Sequence, residues 1–161
     1  YNRLFCYRRF TIYDEAGQEI IRMVATFVLM DRDSRKVHPV EPEIVAPYQS
    51  EFSKKLLRGP KYAELEEAIS KDYHVRFYDL DMNGHVNNSK YLDWVFEVMG
   101  ADFLTNHIPK KINLKYVKEV RPGGMITSSY ELNQLESNHQ VTSDGDINAQ
   151  AKIIWQEINT D

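Results

Sequence analysis

Between positions 79 and 88 the chain reads Asp79-Leu80-Asp81-Met82-Asn83-Gly84-His85-Val86-Asn87-Asn88, a dense run of carboxylate, amide and imidazole. Three chemistries compete for such a run. Asp79, Asp81, Asn83 and Gly84 match positions one, three, five and six of an EF-hand calcium loop, which ends on a bidentate glutamate at position twelve. Here that position is Lys90, a cation aimed at the ion, and no helix of EF-hand type is expected before Asp79, so calcium is set aside. The second chemistry is structural: Asp and Asn residues satisfy a tight turn and cap a helix. The third is catalytic. A helix N-terminus offers unpaired N–H groups and a positive dipole end to a developing oxyanion, and a neighbouring Asp and His could run acyl chemistry. Asn87-Asn88-Ser89 also spells a glycosylation sequon, which carries no weight without a secretory signal.

The element that must position this loop is the helix after it. Lys90, Asp93 and Glu97 fall at i, i+3 and i+7 and share one narrow polar stripe. Tyr91, Leu92, Trp94, Val95, Phe96, Val98 and Met99 cover the remaining circumference, as in a helix wrapped on most sides by other structure. Asn88 or Ser89 is expected to cap its start. Strands are expected near 110–120, 125–135 and 146–158, with turns at Arg121-Pro122-Gly123-Gly124 and Asp144-Gly145. The reading is an α+β fold: an antiparallel sheet curved around one central helix. Upstream, residues 3–13 and 18–31 are rich in aromatic and β-branched types and flank Asp14-Glu15-Ala16-Gly17, which predicts a β-hairpin. Residues 37–70 carry Pro39, Pro42, Pro47 and Pro60 and read as a linker with a short helix around Tyr62 to Ile69. The expected division is 1–36, 37–70 and 71–161.

With 161 residues, 42% hydrophobic and 27% charged, the chain can bury a core. Its longest apolar run, Met23 to Met30, is interrupted by Thr26 and falls far short of a membrane span. The net charge of −4 argues against general nucleic-acid affinity. Cys6 is the only cysteine, which excludes an internal disulfide or a thiolate metal cluster and fits a reducing cytoplasm. The chain begins at Tyr1 without a signal-peptide pattern, and the expectation is that something upstream has been removed or left out. Basic residues gather at Lys54, Lys55, Arg58 and Lys61, and again at Lys110, Lys111, Lys115, Lys118 and Arg121. Solvated surface is the plain reading of both groups.

The stretch from Arg76 to Trp94 resembles the catalytic region of the plant and bacterial acyl-acyl-carrier-protein thioesterases. Tyr7-Arg8-Arg9-Phe10, Tyr13-Asp14 and Ala46-Pro47-Tyr48 look like the end of that family's first hot-dog domain and its linker. The family carries two fused hot-dog domains, so the resemblance implies a partial first domain, reduced to its last hairpin, and a complete second one. That hairpin would lack a central helix of its own, with part of its apolar face open or covered by the second domain. Carried over position by position, the family's active-site Asp, Asn and His fall on Asp81, Asn83 and His85, and its acidic residue on the following strand falls on Glu119. Val120 stands where plant members have a cysteine, so a thiolate nucleophile is not implied.

The roles implied are Asp81 or Glu119 activating water or attacking directly, and His85 assisting proton transfer. Asn83 would orient His85 or the thioester, and the backbone amides at Asn87 and Asn88 would bind the oxyanion. Glu97 is an alternative helix-borne base, although its polar stripe favours solvent. No metal or organic cofactor is implied. The implied substrate is a fatty acyl chain on acyl carrier protein, docked by Lys54, Lys55, Arg58, Lys61, Lys110, Lys111 and Lys115; a homodimer is compatible with this reading. Two alternatives stand beside it: an acyl-coenzyme A thioesterase of the wider hot-dog superfamily, and a non-catalytic acyl-binding module.

Overall fold

The computed structural model describes residues 1–158, which fall into two compact units that divide after Arg58. In the first unit, β1 (Phe5–Tyr13) and β2 (Glu19–Met30) form an antiparallel hairpin, with Phe5 opposite Val28 and Tyr13 opposite Glu19. The turn forms where the sequence places it. The Asp14 carboxylate accepts the N–H groups of Ala16 and Gln18 at 3.0 and 2.8 Å, and Gly17 takes a φ of 81° that a side chain would disfavour. The two-residue β3 (Val37–His38) pairs with the end of β2. Pro42 then opens α1 (Pro42–Val45), where its missing N–H costs nothing, and a single 3-10 turn follows at Ala46–Tyr48. These short pieces are the unit's only helical elements. Val40 and Val45 are its buried hydrophobics, whereas Phe10, Ile12, Ile21, Met23 and Phe27 remain exposed.

The second unit holds β4 (Ile69–His74), α2 (Asn88–Glu97), α3 (Ala101–Asn106), β5 (His107–Tyr116), β6 (Met125–Asn133), β7 (Glu136–Ser143) and β8 (Asp146–Glu157). The strands form one antiparallel sheet in the order β4-β6-β7-β8-β5. Its inner face presents Ile126, Val141, Ile153 and Trp155 together with the small residues Ser128, Ser137, Ala149 and Ala151. The small positions leave depth for α2, which buries Tyr91, Trp94 and Val95 there. Each such burial stabilises the unit by about 2 kcal/mol. The Ser128 hydroxyl donates to the Trp94 carbonyl at 2.9 Å and ties helix to sheet. The polar stripe faces outward as expected, with Lys90 paired to Asp93 at 2.8 Å and Glu97 to Lys71 at 3.8 Å. A sheet curled around one helix is the hot-dog arrangement. Among the described residues no helix is long and apolar enough to cross a membrane.

Three expectations are corrected. No helix forms around Tyr62 to Ile69: residues 62–68 carry no helix or strand, and Ile69 already begins β4. The N–H groups of Glu66 and Glu67 go to the Glu131 carboxylate on β6 rather than to local carbonyls, and so short a helix has little stability of its own. The residues between 125 and 158 form three strands rather than two. The extra one, β7, turns Ser137 and His139 inward, so it lacks the apolar alternation that announces a half-buried strand, and its entry turn uses Gln134 at a φ of 55° rather than a glycine. Finally, the cap of α2 is Asn87, one residue before the expected positions, because Asn88 is already helical.

The inward polar residues of β7 form a short chain: Trp155 Nε1 donates to the Ser137 hydroxyl at 2.7 Å, which lies 2.7 Å from His139 Nε2. Among the described residues His139 Nδ1 is buried without a partner. Burial pulls this imidazole down from 6.5 to about 4. Below pH 6.5 the unfolded chain takes up a proton that the folded chain refuses until about 4, so stability is full above 6.5 and falls across that window. Urea unfolding at a series of pH values should show a total loss of about 3 kcal/mol, and His139→Gln should flatten the curve between those limits.

Candidate active site

β4 leads into a 3-10 turn at Phe77–Asp79, closed by a reciprocal pair. The Asp79 carboxylate, 1% exposed, accepts the Arg76 backbone N–H at 2.7 Å and the guanidinium at 3.2 and 3.4 Å. Burial would raise this carboxyl, but the Arg76 hydrogen bonds and charge, with Lys90, outweigh it and hold it below the ordinary carboxylate range. The Asp79 carbonyl accepts the Asn87 N–H at 2.8 Å, which joins the turn to the start of α2.

Between the paired residues Leu80 and Val86 lies a tight loop. The Asp81 N–H donates to the His85 carbonyl at 2.7 Å, and Gly84, at a φ of 77°, donates its N–H to the Asp81 carbonyl at 3.0 Å. Asp81 Oδ1 accepts the N–H groups of Asn83 and His85 at 2.8 and 3.1 Å, while Oδ2 meets only the Asn83 side-chain amide, at 3.4 Å. The N–H groups of His85 and Asn83 hold the Asp81 carboxyl below its ordinary value, so it is ionised at neutral pH. Asn83 therefore turns its amide toward Asp81, where the sequence reading aims it at His85 or the substrate. The His85 side chain is exposed at the end of the loop.

At the helix start, Asn87 Oδ1 accepts both the N–H and the hydroxyl of Ser89 at 3.0 Å. Because the Asn87 N–H is already bound to Asp79, the expected oxyanion pair narrows to the Asn88 amide. Tyr116 donates its hydroxyl to the Asn88 carbonyl at 2.9 Å.

Glu119 is not on a strand. β5 ends at Tyr116, and Glu119 lies exposed in the connection to β6. That connection is gripped from two sides. The Asn148 carbonyl accepts the N–H groups of Val117 and Lys118 at 2.8 and 3.2 Å, and its side-chain amide donates to the Lys118 and Glu119 carbonyls at 3.3 and 3.4 Å. The Val120 N–H donates to the Tyr91 hydroxyl at 3.1 Å. Burial first, and then the Glu119 carboxylate, push the Tyr91 phenol above its usual range against that hydrogen bond. Asp81, Asn83 and His85 thus share one loop beside the Asn88 amide, while Glu119 arrives from a separate segment beside Tyr91.

Sequence reasoning assigned Tyr91 to the apolar circumference of the helix and overlooked Asn148 and the Arg76–Asp79 pair. A hydroxyl on an otherwise apolar helix face and an asparagine inside a strand were the available signals. Glu97 stays on the outer stripe. Of the basic residues, Lys54, Lys55 and Arg58 belong to the first unit and Lys61, Lys110, Lys111 and Lys115 to the second, all exposed. Lys110 marks a register shift in the edge strand β5, after which Lys111 and Lys115 share one face.

Residues 62–157 match the family model described as the acyl-ACP thioesterase C-terminal domain, and residues 1–48 match the N-terminal domain of the same family. The chain belongs to the acyl-ACP thioesterase family. It is 28% identical over 141 residues to oleoyl-acyl carrier protein thioesterase 2 of Arabidopsis thaliana, covering 79% of this chain and 37% of that protein. The structure of a putative oleoyl thioesterase from Lactobacillus plantarum superposes with a TM-score of 0.91 at 34% identity, covering 98% of this chain and 65% of that one. The 12:0-ACP thioesterase of Umbellularia californica shares the fold, with a TM-score of 0.84 at 23% identity over 97% of this chain and 64% of that one. The chain therefore spans about a third of the curated relative and under two thirds of the solved ones.

The loop geometry separates the structural role of Asp81 from its charge. Asp81→Asn keeps an Oδ1 acceptor for the two N–H groups and should leave the thermal midpoint of the protein unchanged. Asp81→Ala removes the acceptor and should lower it; equal midpoints for the two variants would show that the carboxylate does not hold the loop.

Proposed function

We propose that the protein hydrolyses a fatty acyl thioester carried on acyl carrier protein, releasing the free fatty acid and the carrier thiol. The observation that carries this reading is the ionised Asp81, held by two N–H groups in the same loop as His85, at the N-terminus of α2 in a chain of this family. Asp81 Oδ2 or the Glu119 carboxylate accepts a proton from water as its oxygen bonds to the thioester carbonyl. The carbonyl oxygen then carries the negative charge, and the Asn88 amide with the positive end of α2 stabilises it. When the C–S bond breaks, the leaving thiolate takes up the proton that the carboxylate accepted from water, relayed by His85. No step calls on a metal, an organic cofactor or a cysteine; Cys6 lies on β1 in the other unit.

The choice of carrier protein is supported by the names of the relatives and by the exposed lysines and arginine in both units. A cytoplasmic setting is supported by the lone cysteine.

In the full-length protein, Asp81→Asn, His85→Ala and Glu119→Gln should each lower kcat by about a hundredfold or more, measured on an acyl-carrier-protein thioester. Near-normal turnover by Asp81→Asn would move the reaction to another carboxylate. Exposed charges act mainly on encounter and are screened beyond about 8 Å at physiological salt. Added salt should therefore lower kcat/KM for the carrier-bound substrate more than for a neutral short-chain thioester. An equal salt response would remove the charged docking face, and preference for the coenzyme A thioester of the same acyl chain would reassign the substrate to coenzyme A.

A further inference from the structure

Glu119 sits in a connection with no strand ladder to hold it, yet a carboxylate that acts on water must keep its place to within a fraction of an ångström. The residues that grip this connection are themselves buried: Tyr91 is 3% exposed and Asn148 is 1% exposed. A polar group in such a position costs free energy unless it is hydrogen-bonded, and both residues direct their bonds onto the backbone of residues 117–120. Asn148 reaches it because of a local irregularity in the sheet. On β7, Val141 opposes Ala149 and the next residue, Thr142, opposes Ile147, so Asn148 is the extra residue of a β-bulge. The bulge turns two successive residues, Asn148 and Ala149, away from solvent, which a regular strand does not allow. The Ser143 hydroxyl fixes the side chain by donating to Asn148 Oδ1 at 2.8 Å. Tyr91 is held from the other direction, edge-on to Trp94 and Tyr116 with ring centroids 5.5 and 5.3 Å away.

We propose that Tyr91 and Asn148 are positioning residues for Glu119: a hydroxyl on the helix and a bulged asparagine on the sheet that together hold the carboxylate beside the start of α2. The inference rests on the proposed hydrolysis and names the parts of the fold that make Glu119 effective in it. A residue that serves only stability would lower activity whether or not Glu119 is present. One that acts through Glu119 would do so only when the carboxylate is there.

The test is a double-mutant cycle in the full-length protein, with kcat, KM and the thermal midpoint measured for each variant on an acyl-carrier-protein thioester. Tyr91→Phe keeps the ring contacts and removes the hydroxyl. It should lower kcat about tenfold with KM changed by less than about twofold, and should have almost no further effect in a Glu119→Gln background. Asn148→Asp, which keeps the acceptor for Ser143 and loses both donors, should behave in the same way; if it does not fold, Tyr91→Phe decides alone. Tyr91→Phe without effect on kcat, or with the same effect in both backgrounds, would overturn the positioning role and leave the proposed hydrolysis standing. A Glu119→Gln variant with full turnover would overturn the inference and remove Glu119 from the mechanism, while Asp81→Asn still tests the hydrolysis independently.

Discussion

The start of α2 is fixed by a carboxylate that water hardly reaches. Moving a lone carboxylate into such a place costs several kcal/mol, so Asp79 is tolerable because Arg76 supplies a backbone N–H and its guanidinium at close range and Lys90 adds its charge. That pair sets where the Asp79 carbonyl lies, and the carbonyl in turn receives the N–H of the capping residue Asn87. The polar groups of the loop and of the helix start are built outward from this point. The Asp81–His85 loop leaves it in one direction, and the Asn88 amide and the Tyr91 hydroxyl follow it along the first turn of the helix.

The sheet's contribution is depth. Serine and alanine on the inner face of β6, β7 and β8 let a helix carrying Trp94 and Tyr91 settle close to the strands, and the helix end then meets the connection after β5. Larger residues at Ser128 or Ala151 would lift α2 and separate its first turn from residues 117–120, even with every loop residue unchanged. The inner face of the sheet thus bears on the chemistry through the position it gives to α2.

Much of this was legible in the sequence, where local rules operate. The stripe of Lys90, Asp93 and Glu97 marked an almost fully wrapped helix, Asp14 to Gly17 marked a hairpin turn, and the loop motif marked the family. Distant hydrogen bonds broke the local rules. The helix expected around Tyr62 gave way to a side chain from β6 that took its backbone N–H groups, and β7 went unread because polar residues occupy its inward positions. The segment bearing Glu119 was expected as a strand, but one asparagine and one tyrosine bond its backbone where a ladder was expected. The capping N–H of Asn87 was expected to face a substrate, and a carbonyl eight residues earlier holds it. In each case the deciding partner is far away in sequence, or is a backbone group that leaves no trace in residue type.

The inward chain of Trp155, Ser137 and His139 also bears on how β7 finds its place. A strand that alternates apolar and polar residues is registered by the hydrophobic effect, since a slip of one residue would turn its oily side to water. Apart from Val141, β7 has little such preference: Asn138 and Gln140 are about as polar as the residues they would replace. The two-residue turns at its ends, Gln134-Leu135 and Asp144-Gly145, set its alignment, and in that alignment the indole N–H, the hydroxyl and the imidazole meet. A displaced strand would bury two amides beside an unanswered indole. The alignment of the sheet's central strand is therefore reinforced by directional bonds buried in the core, and these depend on which ring nitrogen of the imidazole carries the proton.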